Sequence, residues 1–300
     1  MTSLQLELAS LTSVMTTDTG AESLVSLVNN LYGNTPSFGG NLAMTIIMSI
    51  LFFIHTGIGL FFQTWWFSIS YCLGTASEIA GYIGRLLGSH DTQNSNYFLL
   101  QIITLTIAPC FIMAGIYFLL SQVIMVYGTQ FSLLKPKRYS QIFIMCDILS
   151  LLIQAIGGAM GSNALKHFKS PKNGTHVMVA GLVLQVVSMT IFLVLFLHFL
   201  IRVKYFGSSS MSEYKYKHIR DTRLFKMWPL VILIGVIFVY IRCIYRCVEL
   251  GEGWNGYLIT HEIYFMLFDA MMMSLTCLIF IPFHPGFVFG FNESEDEKSI

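Results

Sequence analysis

Four pairs of charged or amide side chains stand seven residues apart within otherwise apolar segments. The pairs are Glu78 and Arg85, Asp147 and Gln154, Arg242 and Glu249, and Glu262 and Asp269. Seven residues are nearly two turns of an α-helix, so both members of a pair lie on one helix face. Ionisable groups are costly in a membrane, and those that persist usually face the interior of a helix bundle and mark a site. We therefore predict that these side chains, together with Arg246, form a polar site in the interior of a helix bundle.

The composition is that of a membrane protein. Hydrophobic residues make up 55% of the 300 residues, charged residues only 11%, and the mean hydropathy is +0.67. An ordinary globular domain carries about a quarter charged residues. Apolar windows of about 18 residues recur, long enough to cross a hydrocarbon core roughly 30 Å thick as helices. The fold class predicted is therefore all-α, a polytopic membrane protein.

Seven apolar segments predict a seven transmembrane helix bundle within a domain that covers residues 42–290. The predicted helices cover about 42–62, 65–87, 97–126, 141–161, 176–201, 227–248 and 262–283. Residues 1–41 precede the first helix and contain no Lys or Arg, and an acidic tail follows at 291–300.

The basic residues indicate the orientation. The connection at 202–226 carries seven Lys and Arg residues, which is typical of a cytoplasmic loop. Seven spans then place the N-terminus outside and the C-terminus in the cytoplasm. With that orientation, eleven basic residues of the connections and tails lie inside and only three outside, which agrees with the positive-inside rule. Residues 1–41 are accordingly an extracellular tail and residues 291–300 a cytoplasmic tail.

The same orientation predicts the depth of the charged groups. Five of them converge near the outer helix ends, and these are Arg85, Arg242, Arg246, Glu249 and Glu262. Glu78 and Asp269 lie roughly 10 Å deeper, and Asp147 lies in the inner half of its helix. We expect a polar cavity that opens to the outside. The alternative is that the same charges only lock the second, sixth and seventh helices together, and the two roles are compatible.

No constellation for membrane catalysis is evident. The eight histidines never share a helix at a spacing of four, no phosphate-binding loop of the G-x-x-x-x-G-K-[ST] type occurs, and segment 262–283 has no lysine for a retinal Schiff base. The six cysteines lie in or beside apolar segments, which favours free thiols over disulfides. We expect no enzyme activity, no cofactor, no metal site and no nucleic-acid partner.

A set of motifs in a fixed order along the chain points to a known family. They are Glu78-x-x-Gly81-Tyr82-x-x-Arg85, Gln101 with Ala108-Pro109 and Tyr117, Asp147 with Gln154-x-x-Gly157-Gly158, Arg242-x-x-Tyr245-Arg246-x-x-Glu249 with Gly256, Glu262 through Asp269, and His284-Pro285-Gly286. Together they resemble the fungal lipid-translocating exporter family, which includes 7-aminocholesterol-resistance, sphingoid-base-resistance and protoporphyrin-uptake proteins. The similarity covers roughly residues 42–290. It implies seven transmembrane helices and a role in moving, or conferring resistance to, amphipathic molecules.

The leading hypothesis is an ATP-independent transporter or translocase of lipid-like molecules such as sphingoid bases, sterol-like drugs or porphyrins. The ionic head would lie among the charges, Asp147 and Gln154 would line the route from the inner leaflet, and Glu78 or Asp269 would carry a proton. The expected partners are membrane lipids and the amphipathic substrate, in the plasma membrane or another fungal endomembrane. The alternative is a seven-helix receptor or sensor whose loop 202–226 contacts a cytoplasmic partner or anionic lipid.

Overall fold

The computed structural model describes residues 35–92, 94–167, 170–210, 222–253 and 256–288. Each of the seven apolar segments is helical. The helices are α1 (Phe38–Phe62), α2 (Trp65–Gly88), α3 (Ser95–Tyr127), α4 (Pro136–Lys166), α5 (Lys172–Ser210), α6 (Arg223–Gly251) and α7 (Glu262–Ile279). Short turns of helix at Thr129–Phe131 and Tyr257–Thr260 lie in the connections. The all-α prediction is therefore confirmed for the described residues.

The largest difference from the predicted helix ends lies at the start of the basic connection. Helix α5 continues to Ser210 instead of ending near 201, and α6 begins at Arg223 instead of 227. A helix satisfies its own backbone hydrogen bonds, so it can extend past the last apolar residue without further packing. The predicted loop 202–226 is accordingly shorter, and its residues 211–221 lie outside the described residues. So do residues 1–34 and 289–300, which hold most of the two predicted tails.

Six of these helices, all except α2, are long and apolar enough to cross a membrane. Helix α2 has 24 residues, or about 36 Å, but Glu78, Arg85 and several small residues make it more polar. It packs against both α1 and α3. Its polar and small residues form a buried face, so the polarity that distinguishes α2 from the other six is directed toward the interior.

Glycines bring neighbouring helices into close contact. In α2, a Cβ at Gly81 would lie 2.5 Å from the Leu105 side chain of α3. In α4, a Cβ at Gly157 would lie 2.5 Å from the Met178 backbone nitrogen of α5. Small residues at helix contacts allow this approach in membranes. The G-x-x-x-G at Gly157 and Gly161 therefore has the packing role that its sequence predicts.

We expect Gly157→Ala to destabilise the protein, because the new methyl group meets backbone that cannot move aside without shifting a helix. Overpacking of this kind costs typically about 1–3 kcal/mol. Gly57→Ala in α1 is the matched control, since no atom lies within 4 Å of a Cβ at that position. The measurement is the thermal stability of the purified detergent-solubilised variants. Equal melting temperatures for both variants would contradict the close α4–α5 contact.

Candidate functional site

Arg242 of α6 joins α2 to α7 at the centre of the bundle. Its Nε lies 2.8 Å from Asp269 Oδ1, and its Nη2 lies 3.6 Å from Glu78 Oε1. Nη2 also donates a hydrogen bond to the backbone carbonyl of Leu105 in α3. Arg242 is 2% exposed, and both carboxylates are fully buried. One guanidinium thus holds two acidic groups from different helices in a region without solvent contact.

Arg246, one turn further along α6, extends this network. Its Nη1 donates to Glu249 Oε2 at 2.6 Å, and its Nε lies 3.3 Å from Asp269 Oδ1. The Tyr245 hydroxyl donates to the other oxygen of Glu249 at 3.1 Å. Asp269 is therefore shared by two arginines, Arg242 and Arg246, which lie four residues apart and on one face of the helix.

A second group lies beside the first and ties α1 to α2 and α7. Arg85 Nη2 lies 2.9 Å from Glu262 Oε1, and Arg85 Nε donates to Asn41 Oδ1 at 2.9 Å. Asn41 Nδ2 in turn donates to Glu262 Oε1 at 2.9 Å, and the backbone N–H of Ser37 donates to Glu262 Oε2 at 2.6 Å. Contacts from α1, from α2 and from Ser37, the residue that caps α1, therefore fix the position of Glu262.

Helix α7 changes its geometry where it meets the arginines. It is π-helical over Met266–Ala270, between α-helical turns on either side, and Asp269 lies in this segment. The Phe265 ring, just before it, has Arg85 Cζ 3.9 Å and Arg246 Cζ 5.4 Å from its centroid. Cation–π contacts of this kind link the two groups. Single π turns occur often at functional sites.

We call these seven residues the charge cluster. They are Glu78, Arg85, Arg242, Arg246, Glu249, Glu262 and Asp269. The cluster contains four carboxylates and three guanidiniums, so it carries one negative charge in excess when every group is ionised. An uncompensated charge away from water is expensive. The cluster can therefore accept one proton or one small cationic group.

The centre of the cluster, at Glu78, Arg242 and Asp269, is closed, whereas the sequence predicts a cavity open to the outside. Among the described residues, a cavity of about 30 Å³ lies beside Arg242 and Arg246, which is room for a water-sized group. Glu78 and Asp269 have no exposed surface. The physical reason is that the opposite charges reach one another directly, so the helices close around ion pairs and leave no space for bulk water.

Gln154 and Asp147 have different surroundings from the charge cluster. Gln154 lines the same small cavity as Arg242, and its Nε2 donates to Gln185 Oε1 of α5 at 3.2 Å. Asp147, seven residues earlier in α4, accepts a hydrogen bond from the Tyr117 hydroxyl at 3.0 Å. The structure therefore brings seven of the nine predicted site residues together, places Gln154 beside them, and leaves Asp147 in a separate contact between α3 and α4.

Sequence reasoning missed three residues of the site. Asn41 was assigned to the tail, although it is fully buried and bonded to both Arg85 and Glu262. Gln185 is a lone amide within an apolar segment, a signal of the same kind as Gln154. Phe265 gave no signal, because an aromatic residue in an apolar helix is most often packing.

Long apolar helices around a buried ionic cluster define the class of the protein, which is a polytopic helical membrane protein. The chain matches the family described as RTA1 like protein over residues 71–292, and it belongs to that family. This confirms the resemblance found from the motifs. No solved structure matches the chain.

Three relatives from Saccharomyces cerevisiae show the same relationship. The chain is 40% identical to the sphingoid long-chain base transporter RSB1, over 87% of this chain and 75% of the relative. It is 31% identical to protoporphyrin uptake protein 1, over 74% of this chain and 69% of the relative. Protein RTM1 is 30% identical, over 69% of this chain and 64% of that protein.

Proposed function

We propose that the protein transports amphipathic lipid-like molecules across the membrane, and that sphingoid bases are its first substrate class. The observation that carries the proposal is the charge cluster, in which three buried carboxylates, Glu78, Glu249 and Asp269, share two guanidiniums, Arg242 and Arg246. A protonated amine supplies the one positive charge that this set lacks. The relative named as a sphingoid long-chain base transporter supports an amine substrate, and the relative named as a protoporphyrin uptake protein supports an amphipathic one.

In the proposed mechanism, a proton and the amine of the substrate compete for the excess negative charge of the charge cluster. A proton on Glu78 or Asp269 neutralises the cluster when no substrate is bound, and the amine of the substrate replaces that proton. Opening of the helices around the cluster admits the head group from one side and releases it to the other. Energy comes from the substrate gradient or from the exchanged proton, without ATP hydrolysis. In this mechanism the protein acts by transport and not as an enzyme.

The orientation belongs to the same proposal. Helix α2 is the seventh span, with its polar face against α1 and α3, and the N-terminus lies outside and the C-terminus in the cytoplasm. The charge cluster then lies in the outer half of the membrane, and Asp147 lies toward the inner leaflet on the path of the head group. The plasma membrane is the proposed location. Antibody access to epitope tags at either terminus of intact cells tests both the orientation and the location.

The direct test is flux in liposomes. Purified protein should release a fluorescent sphingoid base from preloaded liposomes faster than protein-free liposomes do, and an imposed pH gradient should change that rate. A labelled phosphatidylcholine in the same liposomes is the control for leakage, and its release should stay at the protein-free rate. Unchanged flux of the base would contradict transport and favour the receptor or sensor.

A further inference from the structure

A lateral groove of about 640 Å³ lies between α3 and α4. Its volume is within the roughly 300–1,000 Å³ typical of small-molecule sites. Most of the residues along it are apolar, and they include Leu99, Ile103, Ile148, Leu152, Ala155 and Ala159. Ile103 and Leu152 are each more than half exposed, so the groove opens toward the surrounding lipid.

The groove exists because side chains join the two helices at one end, whereas small residues leave space between them at the other. Near the C-terminal half of α3, Tyr117 bonds to Asp147, and Ser140 donates to the Tyr117 carbonyl at 3.1 Å. Toward the start of α3 and the end of α4, small residues line α4 instead of bulky ones. A Cβ at Gly158 would meet only Met178 Sδ, at 3.8 Å. This part of the interface is therefore left unfilled.

The groove is long enough to hold a single hydrocarbon chain. Its lining on α4 extends from Ile148 to Asn163, which is about 22 Å along the helix axis. One leaflet contributes about 15 Å to the hydrocarbon core. Ser162 and Asn163 provide polar groups near the end of α4. A chain from one leaflet can therefore lie along the groove with its polar end at these residues.

The groove is continuous with the polar interior. Ile102, Thr106, Gln154 and Met178 line both the groove and the small cavity beside Arg242. That cavity has room for a group the size of an amine or a hydroxyl. Gln154 thus lies where the apolar groove meets the charge cluster.

We infer that this groove holds the hydrocarbon chain of a single-chain amphiphile, and that the polar head passes from the groove to the charge cluster beside Gln154. The inference rests on the proposed function and names a chain-binding site for it. The chain stays in contact with lipid while only the small head enters the bundle, which explains how an interior cavity of about 30 Å³ can serve a long molecule. A double-chain phospholipid with a bulky head does not match this combination of a narrow cavity and one groove.

Filling the groove tests the site. Ala155→Trp and Gly158→Leu add bulk to residues that line the groove, whereas Ile156→Trp on the lipid-facing side of α4, outside the groove, is the matched control. We expect the two groove variants to lower the flux of a long-chain sphingoid base about tenfold, the equivalent of about 1.4 kcal/mol. Flux of a short-chain analogue should stay near the wild-type rate, and Ile156→Trp should alter neither. Equal effects on both chain lengths, or none, would overturn the inference.

Labelling separates this inference from the proposed function. A long-chain sphingoid base with a diazirine on its chain should label the wild-type protein within residues 99–107 and 148–163, and Ala155→Trp should remove the label. If the label appears there but the protein transports nothing, the chain site stands and the proposed function fails. If the protein transports the base but the label lies elsewhere, the chain site is wrong. Equal labelling by a diazirine phosphatidylcholine would show that ordinary bilayer lipid fills the groove and would also overturn it.

Discussion

Arg242→Met is expected to prevent the protein from accumulating in folded form. Arg242 forms ion pairs with both Glu78 and Asp269, and the substitution leaves three carboxylates of the buried network with Arg246 alone. Removal of one partner from a buried ion pair typically costs about 3–5 kcal/mol, which is a large part of the roughly 5–15 kcal/mol that stabilises a protein. Size-exclusion chromatography of a fluorescently tagged protein measures the loss.

The matched control also neutralises the two carboxylates that pair with Arg242, which are Glu78 and Asp269. Arg242→Met combined with Glu78→Gln and Asp269→Asn leaves the Arg246–Glu249 pair and no stranded charge, so folded protein should return. Flux of the sphingoid base should remain absent in this triple variant. A single Arg242→Met variant that elutes like the wild type would contradict the role of Arg242 as the junction of α2, α6 and α7.

Glu78→Gln is expected to keep the fold and abolish the coupling to protons. The change leaves three carboxylates and three guanidiniums, so the charge cluster becomes neutral without a proton or a bound amine. The variant should therefore be at least as stable as the wild type, while flux of a cationic sphingoid base falls to the rate of protein-free liposomes.

The pH dependence in the wild type has a definite sign. A proton and the amine compete for one excess negative charge, so acidifying the compartment that supplies the base should slow its flux, and raising the pH there should speed it. Glu252→Gln makes the same chemical change at an exposed carboxylate outside the charge cluster and should preserve both rate and pH response. Flux by Glu78→Gln that still follows the pH gradient would show that the proton is carried elsewhere.

The seven-residue spacing predicted much of the site because side chains two turns apart share a helix face. Arg242 and Glu249 on α6, and Glu262 and Asp269 on α7, do face the same interior. Membrane insertion makes this inference strong, since a charge directed at lipid would be costly. The same pattern could not separate an open cavity from closed ion pairs, because that depends on the final distance between helices.

Other features depend on the assembled bundle and could not be predicted from local sequence. Asn41 joins the site because α1 begins at Phe38, four residues before the apolar run alone indicates. Asp147 carries the same kind of spacing as the cluster residues, yet it pairs with Tyr117, because α4 faces α3 at that depth and not the charged helices. The groove between α3 and α4 depends on how two helices pack together, which is a property of the assembled bundle and not of either segment.

Because Asp269 lies in the π-helical segment of α7, its position depends on how that segment is wound. A π turn holds one residue more than an α turn, so its conversion to α-helix rotates one half of the helix against the other by about 100°. Such a rotation would withdraw Asp269 from Arg242 and Arg246 in one movement, while Glu262 on the preceding turn kept its bond to Arg85. A change in winding confined to Met266–Ala270 would therefore separate Asp269 from both arginines and leave the Arg85–Glu262 ion pair in place.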